Sequence, residues 1–365
     1  MSRIIVAGGG TGGHLYPGIA IARALVRARP WLQPYFVGAK RGIEREILPK
    51  LEFPYVLLDA HPLYRRAVWN NAKTFVGGIG AWRDLSRLSR EERPTMVVGT
   101  GGYAAAFAMA HAVAHGIPIV QQAGDSHPGL TARTFSRWSR EMYLSFPEAA
   151  RTLHAHHPGS LVDTGAPIEP PPSPRPDQAA ARRAWNLPVT GHVILVYGGS
   201  QGSVAINRAV AEWIGRGLPD SVSLIWGTGK SSFDQFKEHE GERVRVRDYL
   251  SPIAEAYAAA DFAVARAGAM TTAELFAWGI PAVLVPLPTA AADHQTVNAV
   301  TLERAGAAIH LPQSQLSAER LDQTVRRVLD SPGELARLRE GARSRARPNA
   351  AAEIARRILA LLDGL

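Results

Sequence analysis

The sequence contains no cysteine. That absence excludes disulfides, zinc–thiolate sites and thiol nucleophiles, and it fits a reducing compartment. No apolar run approaches the ~18 residues of a membrane span. Met1 leads straight into a strand-like stretch with no basic and apolar leader, so no secretory signal is expected. There is no Asp-x-Asp element of the kind that holds a metal against a sugar nucleotide. Acid is in deficit: 41 Lys and Arg face 32 Asp and Glu, leaving a formal charge of +9. A basic balance implies an anionic partner such as nucleic acid, acidic lipid or a phosphorylated substrate. No compact basic tract or RNA-binding signature appears, so nucleic acid is not expected among the partners.

What is present is a globular chain of 365 residues, 46% hydrophobic, long enough for two domains. Short apolar runs alternate with helical patterns. The runs predict strands at 3–7, 35–37, 56–58, 96–99, 117–121, 142–144 and 161–164, then at 193–197, 222–226, 244–246, 262–265, 282–285 and 308–311. Many are continuous in Val, Ile and Leu, as strands buried on both faces are. Between them Leu15, Ile19, Ala22 and Val26 fall at helical spacing. This alternation predicts an α/β fold with doubly wound parallel sheets. The segment PIEPPPSPRP, residues 167–176, has six prolines and cannot lie inside a sheet or helix. The predicted organisation is a first Rossmann-like domain at 1–165, a proline-rich linker at 166–176 and a second Rossmann-like domain at 177–347. A last helix at 348–365, patterned by Ile354, Ile358, Leu361 and Leu365, suits either domain.

Four glycine-rich loops follow predicted strands: GGGTGGH at 8–14, GTGGY at 99–103, GGSQG at 198–202 and ARAGAMTTAE at 265–274. Gly8, Gly10 and Gly13 match G-x-G-x-x-G. The dinucleotide reading also wants an acid closing the second strand, and Phe36-Val37-Gly38-Ala39-Lys40 has none. What remains is general: glycines let backbone N–H groups approach a ligand, and a helix N-terminus favours negative charge. Single loops of this kind also serve tight strand–helix turns. Four of them, split between two domains, predict two anionic ligands in one cleft. His14 falls at a helix N-terminus, where the dipole disfavours imidazolium. A neutral ring there suits a general base, and equally a phosphate-binding histidine. Glu274 lies about one turn into its helix, as a ligand-holding or a capping carboxylate does.

GGGTGGH…P-G, GTGGY, GGSQG, and R-A-G-A-M-T-x-x-E followed by D-H-Q-x-x-N-A together resemble the MurG family, within glycosyltransferase family 28. The resemblance spans nearly the whole chain. It implies the two-domain GT-B fold, UDP-N-acetylglucosamine (UDP-GlcNAc) as donor and an undecaprenyl-diphosphate-linked N-acetylmuramoyl-pentapeptide (lipid I) as acceptor. The product would be lipid II, made with inversion, with no cofactor and no required metal, at the cytoplasmic face of the bacterial plasma membrane. The last helix would return to the first domain. By position, Ser200, Gln201 and Gly202 match the loop near the donor diphosphate, and Leu250 the backbone that reads uracil. Ala269, Met270 and Thr271 match the helix N-terminus beside the diphosphate, Glu274 the ribose-binding carboxylate, and His294 and Gln295 the sugar contacts. His14 would act on the acceptor hydroxyl. Thr11, Gly12, Gly13, Gly101, Gly102, Tyr103 and Asp125 would hold the acceptor diphosphate.

The chain departs from the pattern at two places. The family's His-Glu-Gln-Asn is replaced by Gln122-Ala123-Gly124-Asp125 ahead of SHPGLT, with His127 as a further polar group. Its Gly-Asn-Pro-x-Arg becomes Gly165-Ala166-Pro167-Ile168-Glu169. A carboxylate facing a diphosphate would repel it, so Glu169 should point away or be paired. These changes keep two alternatives open: a GT-B enzyme with another acceptor, and a non-catalytic nucleotide-sugar-binding homologue. Between residues 61 and 85, Trp69, Phe75, Val76, Ile79 and Trp82 interleave with Arg65, Arg66, Lys73 and Arg83, which suits an anionic membrane surface or a buried helix face. His154, His156 and His157 read as an exposed loop. The alanine-rich runs at 254–261 and 290–293 read as close helix packing.

Overall fold

The computed structural model describes residues 3–61, 71–199, 201–331 and 333–364, with the backbone alone at 71–77. The chain forms two compact units: Met1–Glu169 with Asn349–Leu365, and Pro170–Pro348. In the first, β1 (Arg3–Gly8), β2 (Gln33–Ala39), β3 (Tyr55–Leu58), β4 (Met96–Gly101), β5 (Ile119–Ala123), β6 (Ser139–Leu144) and β7 (Leu161–Asp163) make one parallel sheet. Its order is β3-β2-β1-β4-β5-β6-β7. In the second, β8 (His192–Tyr197), β9 (Val222–Gly227), β10 (Val244–Arg247), β11 (Phe262–Ala265), β12 (Ala282–Leu284) and β13 (Ala308–His310) are ordered β10-β9-β8-β11-β12-β13.

Both sheets are buried on two faces, which is why their strands read as apolar runs. In β1, Ile4 and Val6 pack with Leu15 and Ile19 of the helix Gly12–Ala28. Ile5 and Ala7 pack on the opposite side with Leu85, Ala104 and Ala108. One predicted strand shifts: 117–121 becomes Ile119–Ala123. Pro118 has no N–H for the ladder, and it contributes its carbonyl to Val97 at 2.9 Å.

The helix Ala350–Asp363 packs in the first unit. Ile354 and Ile358 are fully buried there beside Ile21 and Leu25, Leu361 is partly buried, and Leu365 lies outside the described residues. The proline-rich segment is not a free tether. Ala166 and Ile168 are buried, while Arg175 donates to the carbonyls of Ala277 (2.7 Å) and Trp278 (3.0 Å). Those carbonyls close the helix Ala269–Ala277, and a cation completes a helix C-terminus well.

The strand orders decide where ligands belong. Each sheet reverses its winding at one point, between β1 and β4 in the first unit and between β8 and β11 in the second. Ligands of open α/β sheets bind beyond the strand C-termini at that switch point. The four glycine loops follow β1, β4, β8 and β11, the strands that flank the two switch points.

Candidate active site

At the first switch point the loop after β1 runs into the helix Gly12–Ala28, with Thr11 as its N-cap and His14 as its third residue. The register between β1 and β4 skips Thr100, pairing Ala7 with Gly99 and Gly8 with Gly101. Thr100 then donates to the His14 carbonyl at 2.7 Å, which ties β4 to the helix start. A Cβ on Gly8 would lie 1.9 Å from the Thr100 hydroxyl oxygen, so glycine is required for this close approach.

The half-buried His14 ring is gripped by both loops. Its Nδ1 lies 3.1 Å from the Gly9 carbonyl and 3.3 Å from the Thr11 hydroxyl. A carbonyl only accepts, so the proton of that bond is on Nδ1 and the neutral ring carries its lone pair on Nε2. Gly101 (φ +104°) lies against the Nε2 edge, where a Cβ would stand 3.0 Å from Nε2. Gly102 (φ +83°) presses on the Gly9 carbonyl, where a Cβ would stand 2.1 Å away. Thr131 donates to the Gly102 carbonyl at 3.2 Å, and the Tyr103 ring lies over Gly10. The structure thus gathers Thr11, Gly12, Gly13, His14, Gly101, Gly102 and Tyr103 at one strand end.

The substituted segment behaves differently. Gln122 is buried and donates to the Ser145 hydroxyl at 2.8 Å, and Ala123 is also buried. Both therefore finish β5, leaving the half-buried Gly124, Asp125 and His127 beyond it. Glu169 is exposed and pairs with Arg27 at 3.5 Å, in the last turn of the His14 helix.

At the second switch point Gly202 (φ +73°) abuts Thr228, whose carbonyl oxygen would be 2.1 Å from an added Cβ. Gln201 is exposed at the loop tip, and Ser200 lies outside the described residues. Ser203 caps the helix Val204–Arg216. Leu250 is buried over Gly227, at the end of β9. Ala269, Met270 and Thr271 form the half-buried first turn of the helix Ala269–Ala277. His294 opens the helix His294–Arg304 and bonds through Nδ1 to the Ala291 carbonyl at 2.7 Å. Gln295 accepts from the Leu287 N–H at 3.0 Å. The run 290–293 is not helix packing. It is an exposed turn in which Ala292 (φ +52°) and Asp293 (φ +55°) are both left-handed, a conformation that costs about 1 kcal/mol or more per non-glycine residue.

Glu274 is the sixth residue of its helix, not a cap. Its Oε2 accepts from the Tyr257 hydroxyl at 2.8 Å, and Tyr197 stands 3.1 Å behind Tyr257. Burial raises the Glu274 pKa above the usual carboxylate value, and the Tyr257 hydrogen bond opposes that shift. The alanine-rich run at 254–261 is therefore more than packing, since it delivers Tyr257.

Three further residues support these loops, two of them inside the quoted motifs: Arg266 opens R-A-G-A-M-T and Asn298 is the asparagine of D-H-Q-x-x-N-A. Arg266 is buried, and among the described residues its guanidinium meets only neutral acceptors: the Ser203 hydroxyl (2.7 Å) and the carbonyls of Val285 (3.1 Å) and Pro286 (2.9 Å). It joins the loops after β8, β11 and β12. Asn298 braces the same region by donating to the Ala267 carbonyl at 3.1 Å. In the first unit, buried Glu44 accepts from the N–H groups of Gly10 (2.8 Å) and Ala39 (3.1 Å). The second strand carries no acid of its own, and Glu44 arrives from the short helix that follows. Its sequence signal is the set of glycines at 9, 38 and 42, each of which makes room for it.

His156 and His157 are exposed and bond to the carbonyls of Arg137 and Pro158, both at 2.8 Å. Among the described residues no group of three or more His, Asp or Glu is placed to hold a metal. In the helix Asn71–Glu92, Ala81, Leu85 and Leu88 are buried while Ile79, Trp82 and Arg83 are exposed. Trp69 and the side chains of Phe75 and Val76 lie outside the described residues.

Comparison with known proteins agrees over the whole length. The glycosyltransferase family 28 N-terminal domain matches residues 4–144, and the C-terminal domain of that family matches residues 193–357. A relative from Salinibacter ruber is 41% identical, covering 99% of this chain and 97% of its own. One from Moorella thermoacetica is 35% identical, covering 99% of each. Both are named UDP-N-acetylglucosamine–N-acetylmuramyl-(pentapeptide) pyrophosphoryl-undecaprenol N-acetylglucosamine transferase. The crystal structure of Acinetobacter baumannii MurG superposes with a TM-score of 0.76 at 26% identity, over 100% of both chains. With two switch-point sheets, matched domains in both halves and relatives of this identity end to end, the chain belongs to glycosyltransferase family 28, the family of MurG, and has the GT-B fold.

Proposed function

We propose that this protein transfers N-acetylglucosamine from UDP-GlcNAc to the C4 hydroxyl of the N-acetylmuramoyl unit of lipid I, giving lipid II with inversion. The observation that carries the chemistry is the His14 hydrogen bond to Gly9, which leaves the ring lone pair on Nε2. Nε2 takes the proton of the acceptor hydroxyl as that oxygen bonds to the anomeric carbon. The bond from that carbon to the diphosphate oxygen breaks on the opposite face, and UDP departs with its electron pair. A base so placed typically contributes 10²–10⁴-fold, roughly.

Donor contacts fall to the second unit. Glu274 accepts from the ribose hydroxyls, the backbone at Leu250 reads uracil, and His294 and Gln295 meet the sugar. Ser200, Gln201, Gly202, Ala269, Met270 and Thr271 line the diphosphate. Backbone N–H groups at two helix starts, with the Arg266 charge behind them, meet the developing charge of UDP without a metal or other cofactor. Thr11, Gly12, Gly13, Gly101, Gly102, Tyr103 and Asp125 hold the acceptor diphosphate. A lipid-linked acceptor places the work at the cytoplasmic membrane face. No described helix is long and apolar enough to cross a membrane, and exposed Ile79, Trp82 and Arg83 suit a peripheral contact with anionic lipid.

The test is transfer of labelled N-acetylglucosamine from UDP-GlcNAc to a short-chain lipid I analogue without added metal. Formation of the labelled disaccharide lipid is expected. Binding of UDP-GlcNAc with no transfer would overturn the assigned acceptor and turn attention to segment 122–125.

A further inference from the structure

Glu44 is fully buried, and among the described residues it belongs to no ion pair. An isolated carboxyl in that position is expensive unless the structure uses it. The fold has cleared space for it at three places. A Cβ on Gly9 would lie 1.6 Å from Oε1, one on Gly42 would lie 1.8 Å from Oε2, and one on Gly38 would lie 2.9 Å from the Glu44 Cβ. Oε1 accepts from Ala39 and Gly10, while Oε2 is buried without a hydrogen-bond partner among the described residues.

The connection to His14 is a single peptide group. The Gly10 N–H that Glu44 binds at 2.8 Å and the Gly9 carbonyl that His14 Nδ1 binds at 3.1 Å are the two ends of the same amide. A carboxyl drawing on the N–H end polarises the amide and makes its carbonyl oxygen a stronger acceptor. Nucleophile and base systems orient their histidine with a third group, usually by direct contact. Here a peptide stands between the two.

We propose that Glu44 is a positioning residue which, through the Gly9–Gly10 peptide, holds the proton on His14 Nδ1 and so keeps the lone pair on Nε2. This rests on the reading of His14 as the base. The role differs from simple anchoring of the loop, because it fixes the tautomer of a ring that Glu44 does not touch.

The experiment records ring-nitrogen chemical shifts of histidine-labelled full-length protein at pH ~8, where an ordinary imidazole is neutral. The His14 signals are identified by their loss in His14→Ala. Wild type should show Nδ1 protonated and Nε2 bearing the lone pair, as a single tautomer. Glu44→Gln keeps the side-chain shape and replaces the carboxyl by an amide, and Glu44→Asp withdraws the carboxyl from Gly10. Both should move the His14 nitrogens toward tautomer averaging. Both should also lower kcat about tenfold or more, with KM for UDP-GlcNAc almost unchanged, as loss of a supporting contact does. An Nε2-protonated ring in wild type overturns the proposal, whether or not either variant folds. Unchanged ring shifts in a folded variant overturn it too, even if kcat falls, because Glu44 then only anchors the loop. Transfer that survives in His14→Ala removes the base reading instead, and the tautomer measurement still reports whether Glu44 holds the ring.

Discussion

Tyr257 holds Glu274: its hydroxyl donates to Oε2 at 2.8 Å from the neighbouring helix, with Tyr197 3.1 Å behind it. Burial raises the Glu274 pKa and this hydrogen bond counteracts the shift, since it favours the ionised form. The ionised carboxylate is also the form that accepts two ribose hydroxyls. Tyr257→Phe should therefore raise the Glu274 pKa further and weaken UDP-GlcNAc binding about tenfold, a hydrogen bond to a charged group being worth ~1.5 kcal/mol or more. Donor affinity in the variant should begin to fall at a higher pH than in wild type as the solution is acidified. Calorimetric titration across the acid range measures both effects, and an unchanged profile would contradict the role given to Tyr257.

Arg266 spans three loops through neutral acceptors, so its removal strands the carbonyls of Val285 and Pro286 away from water. Arg266→Met should destabilise the protein by about 2 kcal/mol or more, seen as a lower urea midpoint. The Ser203 cap should loosen with it and raise KM for the donor. Arg266→Lys restores charge without the planar fork and should recover only part of each loss.

His111 is 2% exposed, stacks on His115 with ring centroids 4.0 Å apart and meets the edge of Trp82. Burial, with the His115 charge beside it, pushes its pKa down to about 4 from 6.5. The unfolded chain therefore binds a proton first on acidification, and stability is lost as pH falls from 6.5 towards 4. His111→Gln should flatten that acid loss, measured as the pH dependence of the urea midpoint. A variant that follows the wild-type curve would show that another group governs it.

Glu169 stands where the family carries an arginine, but its carboxylate is exposed and paired with Arg27 at 3.5 Å. Exposed pairs contribute little, so Glu169→Ala should change stability by less than about 1 kcal/mol. Donor KM should also stay close to the wild-type value. A marked gain in donor affinity would show that the acid does repel the diphosphate.

The sheets were legible because parallel strands buried on both faces announce themselves as apolar runs. Each predicted run overlaps a strand, and the one displaced at both ends, 117–121, has Pro118 as its cause. The glycine loops pointed to the switch points because tight turns and close approaches demand that residue, as Gly101 and Gly202 do here. The supporting residues were not legible in the same way. Glu44 reads as an ordinary helix-start acid, and only the fold brings it to Gly10, 34 positions away in sequence. Tyr257 is set among alanines whose spacing signals packing alone, and its contact with Glu274 spans 17 residues. The run 290–293 has the composition of a helix, yet it turns through two left-handed residues to deliver His294. The motifs mark the glycine loops, whereas supporting contacts such as those of Glu44 and Tyr257 appear only when the chain is folded.

The most direct test of the account is the rate of N-acetylglucosamine transfer to a lipid I analogue by wild type and His14→Ala, with UDP-GlcNAc affinity measured on both. A fall in kcat of roughly 10²–10⁴-fold with donor affinity unchanged is the predicted result, because His14 is assigned to proton transfer and the donor contacts to the second unit. Transfer by His14→Ala at close to the wild-type rate would contradict it, and the proton of the acceptor hydroxyl would then have to leave by another route.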